Sequence, residues 1–172
     1  MEFEFEGKKP DISTDAFVFP TATVIGGVKI GQNCYIGPNA ILRGDWGYIE
    51  IGNGVNVQDT CIIHSIPDGK TIIGDNCHIG HGAVIHQSEL GNHVLVGINA
   101  VVMDFSKIGD DCIIGSGAVV PRNSQYEPRS LALGVPAKIV GKVTDEQNQY
   151  AWWATKQYQT LPKRYHDSFT QI

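Results

Sequence analysis

Residues 73–86 decide the fold of this chain: Ile-Gly-Asp-Asn-Cys-His-Ile-Gly-His-Gly-Ala-Val-Ile-His. Within this stretch an aliphatic residue returns every six positions, at Ile73, Ile79 and Ile85. The same period covers eighteen positions of the chain, and all of them are Val, Ile or Leu. A period of six matches neither a helix with 3.6 residues per turn nor strands joined by hairpins.

The period of six is typical of a β-helix whose coil is a triangular prism, with three short strands per turn. Writing the aliphatic series in threes assigns one column to each face of the prism. The first column is Val18, Ile36, Val57, Ile79, Val96 and Ile114; the second is Val24, Leu42, Ile63, Ile85, Val102 and Val120; the third is Ile30, Ile51, Ile73, Leu90, Ile108 and Leu133. The predicted fold class is therefore all-β, a parallel β-helix of hexapeptide repeats. The six-residue spacing is interrupted at four places. Three extra residues follow Leu42, four follow Ile63 and seven follow Val120, and one residue is missing after Ile85.

The residue that follows each aliphatic residue differs between the columns. In the third column it is always glycine, which suits a tight corner through its backbone freedom or its lack of bulk. In the second column glycine is absent, and the six positions hold Ile25, Arg43, His64, His86, Met103 and Pro121. Arg43, His64 and His86 are therefore expected to stack on three successive coils, along one corner of the prism.

The composition excludes several classes of protein. The chain has 172 residues, of which 42% are hydrophobic, so it can bury a core and does not have the composition of a disordered protein. Its net charge of −5 argues against nucleic acid or an anionic membrane as a partner. No apolar run reaches the length of a membrane span. Residues 1–6 alternate between acidic residues and Phe, which predicts a short strand. This segment lacks the form of a signal peptide, so we expect a cytoplasmic protein.

The four cysteines follow the same register. Each lies four residues after a repeat aliphatic residue, where Ala or Val stands in most other hexads; they are Cys34, Cys61, Cys77 and Cys112. That position favours a small buried side chain, and no two cysteines have the spacing of metal ligands. We expect reduced thiols in the core and no disulfide.

The C-terminal part of the chain has a different pattern. Residues 134–138 close the solenoid, and Thr144-Asp145-Glu146-Gln147 is the signature of a capping box. Aromatic and apolar residues then follow at helical spacing, and Pro162 is expected to end the helix. We predict a β-helix domain over residues 1–143, and a C-terminal helix and tail packed on the solenoid over residues 144–172.

The histidines of the second column predict a metal site. His64 and His86 occupy the same position one coil apart, at about 4.8 Å between strands, so two ring nitrogens can meet one ion. His81 lies at another corner, and five residues of strand span roughly 16 Å, too far to share that ion within one chain. A third ligand from His81 requires another subunit, as in a cyclic trimer. Three histidines with one open position are typical of a catalytic zinc. His78, His93 and His166 have no comparable relations and are not expected to be ligands.

The motifs as a set resemble the gamma-class carbonic anhydrases, over nearly the whole chain from Pro10 to Lys138. The resemblance is carried by residues 42–45 (Leu-Arg-Gly-Asp), 49–52 (Ile-Glu-Ile-Gly), 56–59 (Asn-Val-Gln-Asp), His64, 79–81 (Ile-Gly-His) and His86. It implies a left-handed β-helix, an exception to the usual handedness of parallel crossovers, and a homotrimer. It also implies that His64 and His86 of one subunit and His81 of its neighbour bind Zn²⁺, with Fe²⁺ or Co²⁺ as alternatives.

The resemblance implies further roles at the site. Gln58 would hydrogen-bond a hydroxide on the metal, and Arg43 and Asp45 would form an ion pair across the subunit interface. Zinc on three neutral imidazoles lowers the pKa of bound water to about 7, which suits attack on CO2. Gln58 can donate and accept hydrogen bonds, and its alternative role is a solvated corner.

The sequence departs from the active carbonic anhydrases of this class at the proton-transfer loop. Those enzymes carry glutamates there, whereas Asp45 is followed here by Trp46 and Gly47, and the loop after His64 is short. The Trp46-Gly47 step resembles the branch near the phenylacetate-pathway thioesterase and the carnitine-operon protein. Three functions remain open: a zinc lyase that hydrates CO2 to bicarbonate, an acyl-CoA thioesterase or acyltransferase, and a trimeric scaffold without catalysis.

Overall fold

The computed structural model describes residues 1–170 and shows a parallel β-helix flanked by two C-terminal helices. The strands are β1 Glu2–Phe3, β2 Asp11–Ile12, β3 Phe17–Val18, β4 Thr23–Ile30, β5 Tyr35–Ile36, β6 Ile41–Ile51, β7 Asn56–Val57, β8 Ile62–His64, β9 Lys70–Ile73, β10 His78–Ile79, β11 Val84–His86, β12 Glu89–Leu90, β13 Leu95–Val96, β14 Val101–Val102, β15 Lys107–Ile108, β16 Ile113–Ile114, β17 Val119–Val120, β18 Gln125–Tyr126, β19 Ser130–Leu133 and β20 Lys138–Lys142. The helices are α1 Asp145–Gln159 and α2 Leu161–Ser168. The strand expected over residues 1–6 is β1, which pairs with β4.

Each coil contributes one strand to each of three faces, and equivalent strands of successive coils pair in parallel. The first face runs β3-β5-β7-β10-β13-β16-β19 and ends with the antiparallel strand β20. The second and third faces form one sheet, because β4 and β6 continue around the corner between them. The predicted columns pair in register, as at Ile63 with Ile85 and at Ile73 with Leu90. Apart from Leu133, their side chains fill one continuous core together with the four free, buried cysteines, so the fold class and the free thiols are confirmed.

The glycine that follows each third-column residue is required for its lack of bulk. A Cβ on Gly74 would lie 2.5 Å from the carbonyl oxygen of Gly91 on the next coil, and one on Gly31 would lie 2.6 Å from that of Gly52. Neither glycine has a positive φ. The left-handed backbone conformation falls two positions later, for example at Asn33. Close stacking of the coils, and not backbone freedom, therefore selects glycine at this position.

The assignment of Leu133 to the third column is wrong. Tyr126 occupies that place, since it pairs with Ile108, and the next hexad returns to the first face with Ala132 opposite Ile114. No residues are inserted after Val120, and Leu133 is 43% exposed. The aliphatic pattern could not show this, because the final coil uses an aromatic and a small residue.

The C-terminal segment forms two helices where one was expected. Thr144 and Gln147 form the predicted capping box at the start of α1. Pro162 does not end that helix; it lies in the first turn of α2, where proline costs no helical hydrogen bond. Helix α1 packs on β7 and β10, and α2 packs on β3. Residues 171 and 172 of the predicted C-terminal segment lie outside the described residues, and the division at residue 143 stays a prediction.

The outward side chains distinguish the three faces. On the first face they lie under the helices; they include Phe17, Tyr35, Asn56, His78 and Leu95. On the second face they are mainly aliphatic: Thr23, Ile41, Ile62, Val84, Val101 and Val119. On the third face they are mainly charged or polar: Asp11, Lys29, Glu50, Ile72, Glu89, Lys107 and Gln125. Neither helix within residues 1–170 has the length and apolarity needed to cross a bilayer.

Candidate active site

Arg43, His64 and His86 stack on three successive coils, as the register predicts. Arg43 pairs with His64 across β6 and β8, and His64 pairs with His86 across β8 and β11. The Nδ1 atom of His64 lies 3.3 Å from the Nε2 atom of His86, and the ring centroids are 5.3 Å apart. We call these three residues the ridge.

Each ridge histidine has a carboxylate on its other ring nitrogen. His64 Nε2 lies 3.1 Å from Asp45 Oδ1, and His86 Nδ1 lies 2.5 Å from Asp104 Oδ1. An ionised carboxylate only accepts hydrogen bonds, so it holds the proton on the nitrogen that faces it. In the neutral rings, His64 Nδ1 and His86 Nε2 are then both acceptors, and they point toward each other.

Arg43 and Asp45 form an ion pair within one chain. Arg43 Nη1 donates to Asp45 Oδ2 at 2.7 Å. Burial raises the pKa of Asp45, but hydrogen bonds from Arg43 and His64 outweigh burial and lower that pKa below its usual value. The pair was expected across a subunit interface. Within the chain the pair fixes Asp45 next to His64, because residues 43 and 45 are two apart on one strand and their side chains point to the same side. A pair across a subunit interface stays a prediction.

The environment of His64 favours the neutral ring. Burial lowers the pKa of His64, and the charge of Arg43 lowers it further against the opposing effect of Asp45. A metal ligand or a general base must be unprotonated, so this protonation state suits both roles. Trp46 packs beside His64, with ring centroids 5.7 Å apart, and is itself 56% exposed.

His81 lies at a different corner, as expected, in the turn between β10 and β11. Its Nδ1 atom lies 2.8 Å from Asp59 Oδ2, and its Nε2 atom lies 3.4 Å from the hydroxyl group of Tyr158 on α1. Like the ridge histidines, it has a carboxylate on one ring nitrogen; a ligand at the other nitrogen would replace the contact with Tyr158.

Gln58 lies beside His81 and not beside the ridge. It is 2% exposed, and its Nε2 atom donates to Asn56 Oδ1 at 2.9 Å and lies 2.7 Å from His78 Nε2. Its Oε1 atom accepts the backbone N–H of His81 at 3.2 Å. Burial lowers the pKa of His78 to about 4, so that ring is a neutral partner. Gln58 is therefore no solvated corner; its N–H groups are occupied within the chain, and it holds the His81 turn.

The residues of this region fit a metal ion, although no single chain completes the set. Within residues 1–170, no three His, Cys, Asp or Glu side chains form a group that could hold one. Two acceptor nitrogens that face each other at 3.3 Å can bind one cation between them. That separation matches two ligands at about 2.0–2.1 Å from one tetrahedral ion. The ion, the third ligand and the trimer stay predictions.

Sequence reasoning missed the carboxylates at His86 and His81. Asp104 follows Val102 on the next coil, so a search of the coil next to each histidine would have found it. It also missed a relation of His93, which stacks on Trp152 with 3.7 Å between centroids and contacts Asp111 at 2.7 Å. His93 is buried under α1, so this contact anchors the helix.

Two family profiles match the repeats of this chain. "Bacterial transferase hexapeptide (six repeats)" matches residues 10–44 and 88–122, and "Hexapeptide repeat of succinyl-transferase" matches residues 70–104. The carnitine operon protein CaiE of Escherichia coli K12 is 43% identical over 166 residues, which cover 96% of this chain and 85% of CaiE.

Two solved structures are similar over 95% of this chain. A Bacillus cereus protein described as a "putative acetyltransferase" has 31% identity and a TM-score of 0.93, over 95% of its own length. A hexapeptide transferase family protein from Anaplasma phagocytophilum has 32% identity and a TM-score of 0.91, over 97% of its length. None of these descriptions names a carbonic anhydrase or a metal.

Proposed function

The chain belongs to the left-handed β-helix family of hexapeptide-repeat transferases that includes CaiE, and on this basis we propose that it is a trimeric, metal-dependent acyl thioesterase. In the reaction, the oxygen of water adds to the carbonyl carbon and the carbon–sulfur bond breaks. The products are a carboxylate and a thiol; one proton of the water goes to the sulfur and the other is released to solvent.

The observation that carries the proposal is the pair of acceptor nitrogens on the ridge. Asp45 and Asp104 hold the protons of His64 and His86 on the ring nitrogens that face these carboxylates, the outer nitrogens. The other two, inner nitrogens face each other and can bind one ion. Carboxylates on the outer nitrogens are typical of histidines that bind metals. A hydrogen bond between the rings is the other explanation, but it needs a protonated inner nitrogen. The lowered pKa of His64 opposes that state at His64.

The outer surface of the second face supports the proposed trimer. Ile62 is 42% exposed and lies in an uncovered aliphatic row beside the ridge. An exposed apolar sheet face of this kind is a typical interface. In a ring of three, the ridge of one subunit faces the first corner of the next subunit, and that corner carries His81. Two ridge ligands and one His81 would then complete each of three sites.

A bound Zn²⁺-type cation would supply Lewis-acid polarisation and lower the pKa of a water molecule. The residues of this chain orient the site around it. Asp45, Asp59 and Asp104 fix the three imidazole tautomers, and Arg43 restrains Asp45. Gln58 holds the His81 turn because its side-chain oxygen accepts the backbone N–H of His81. Trp46 covers one side of His64 and limits the access of bulk water there.

The choice of an acyl thioester over CO2 rests on the surroundings of the ridge. Trp46 occupies the position after Asp45, where carbonic anhydrases of the resembled class are expected to carry a proton-transferring acid. An exposed indole beside His64 suits an acyl group better than it suits a proton relay. The transferase family and the acetyltransferase description of one structural relative also fit chemistry on acyl groups.

Hydration of CO2 is the second candidate, and the same ridge favours it. Three neutral imidazoles around one ion suit both reactions, because each needs water activated for attack on a carbonyl-type carbon. The two candidates differ in whether the site transfers protons quickly and in whether it has room for an acyl chain.

The experiment measures both reactions on one sample loaded with zinc and on one loaded with ferrous iron. Thiol release from acyl-CoA and stopped-flow CO2 hydration are compared for the wild type, His64→Ala, His86→Ala and the distant control His166→Ala. We expect thiol release that both ridge variants reduce at least tenfold, together with bound metal, while His166→Ala retains both. Thiol release that survives loss of the ridge would reject the proposal. Metal-dependent CO2 hydration without thiol release would establish the second candidate.

A further inference from the structure

A cleft of about 360 Å³ lies between α1 and the first face, and His81 lies at one end of it. Its floor is formed by Leu95, Val96 and Ile98, and the aromatic side chains of Tyr150 and Trp153 form its rim. Volumes of this order are typical of small-molecule sites, which combine apolar walls with a few polar groups.

The helix is held on both sides of the cleft, so the opening is preformed. Toward its N-terminus, Trp152 stacks on His93. Toward its C-terminus, Gln159 Nε2 donates to the carbonyl oxygen of Gly54 at 2.9 Å, and Tyr158 packs near Tyr35. Between these anchors the helix presents Ala154, whose small side chain leaves the space open.

The chemistry of the lining selects an uncharged apolar ligand. No Lys, Arg, Asp or Glu is among the residues of the described chain that line the cleft. A phosphate or a free carboxylate would therefore find no cationic Lys or Arg partner there, whereas an apolar chain needs none. Trp153 is 57% exposed and stacks loosely with Tyr150, which leaves an aromatic surface for an apolar ligand to cover.

Three polar residues of the lining lie at the end that adjoins the proposed reaction centre, and Ser116 and Gln157 line other parts of the cleft. Gln58, His78 and His81 line that end, and His81 is the residue proposed to complete the neighbouring subunit's metal site. We infer that the cleft binds the acyl chain of a medium-length acyl thioester, with its carbonyl group at the His81 end. The inference rests on the proposed function, because it assigns the substrate class of the same site.

The test separates binding from catalysis with two unreactive thioethers, hexyl-CoA and ethyl-CoA. Calorimetry on the metal-loaded wild type should show hexyl-CoA bound at least tenfold more tightly. Ala154→Phe fills the cleft and should bring this ratio close to one. Gln149→Phe adds the same bulk to an exposed position of α1 that does not line the cleft, and should keep the wild-type ratio. Ile98→Ser removes part of the floor at an exposed turn and should lower the ratio without adding bulk.

Hydrolysis by the same proteins distinguishes this inference from the proposed function. The kcat/KM of hexanoyl-CoA should fall at least tenfold more than that of acetyl-CoA in Ala154→Phe. A wild-type protein that keeps the tenfold binding ratio but releases no thiol would support the acyl site and reject the thioesterase. A ratio unchanged in both Ala154→Phe and Ile98→Ser would overturn the acyl site. Dissociation of the trimer in Ala154→Phe, seen by light scattering, would assign the cleft to a partner side chain and also overturn it.

Discussion

The second and third faces of the prism have the same inner construction and opposite outer surfaces. Both bury one aliphatic residue per hexad, as at Ile63 and Ile73. The residue before it points outward. On the second face this residue is Ile62, which lies in an aliphatic row, and on the third face it is Ile72, which lies between Glu50 and Glu89. The third face is therefore suited to water, with pairs such as Lys107–Glu89 at 3.1 Å, and the second face is the one that we propose contacts another subunit. The candidate site lies at the corner of the face that lacks charge.

The largest expected effect comes from a charge placed on the second face. Ile62→Lys should dissociate the trimer, because an unpaired charge buried at each interface costs about 3–5 kcal/mol. Ile72→Lys is the matched control on the third face and should remain trimeric. Light scattering at micromolar concentration and metal content check both variants. A trimer that survives Ile62→Lys, or a wild-type monomer, would show that the second face is not the interface.

The next effect concerns the carboxylate behind His86. Asp104→Asn should weaken metal binding about 10–100-fold, because the amide holds the imidazole tautomer less firmly. Competition with a chelator measures the affinity, and light scattering verifies that the trimer is intact. An unchanged affinity would mean that Asp104 does not orient a ligand.

A smaller effect tests whether each site is shared between subunits. His81→Ala and His86→Ala should each bind almost no metal alone. Refolded together in equal amounts, they should recover about a quarter of the wild-type metal content, since contacts in a ring run in one direction. Mixed trimers with no more metal than the single variants would show that His81 does not complete a neighbouring site.

The smallest effect is expected on the third face. Glu89→Gln removes the partner of Lys107, and both side chains are at least half exposed. Chemical denaturation should show a change in unfolding free energy below about 1 kcal/mol, because water and salt screen such pairs. Metal affinity should be unchanged. A loss comparable with that of Asp104→Asn would mean that the charged face supports the site.

Much of the site could be predicted once the register was known. The pairing of His64 with His86, and the separation of His81 from them, follow from counting hexads, because equivalent positions stack directly above one another. The count failed where the last coil replaced aliphatic residues with Tyr126 and Ala132, since a pattern search cannot recognise a hexad without its marker. Pro162 was misassigned for a related reason: proline is compatible with both the end of one helix and the first turn of the next.

The direction of individual polar side chains could not be predicted. Gln58 has the residue type to contact a reacting group, yet its amide is used by Asn56, His78 and the backbone of His81. Arg43 and Asp45 were expected to pair across an interface; the structure shows them paired within one strand, and the contact between subunits stays a prediction. Hydrogen-bond partners depend on rotamers and on neighbours from other coils, which a spacing does not contain.

The sequence by itself determined the prism, its three columns, the buried thiols and the stacked ridge. It could do so because burial of one aliphatic residue in every hexad is the dominant favourable term in folding and leaves a countable pattern. Only the tertiary structure decided that Asp104, which lies 18 residues after His86, orients that ring, and that α1 leaves an apolar cleft beside His81. These features arise where different coils and the helix meet, so they depend on side-chain geometry in three dimensions and not on periodicity.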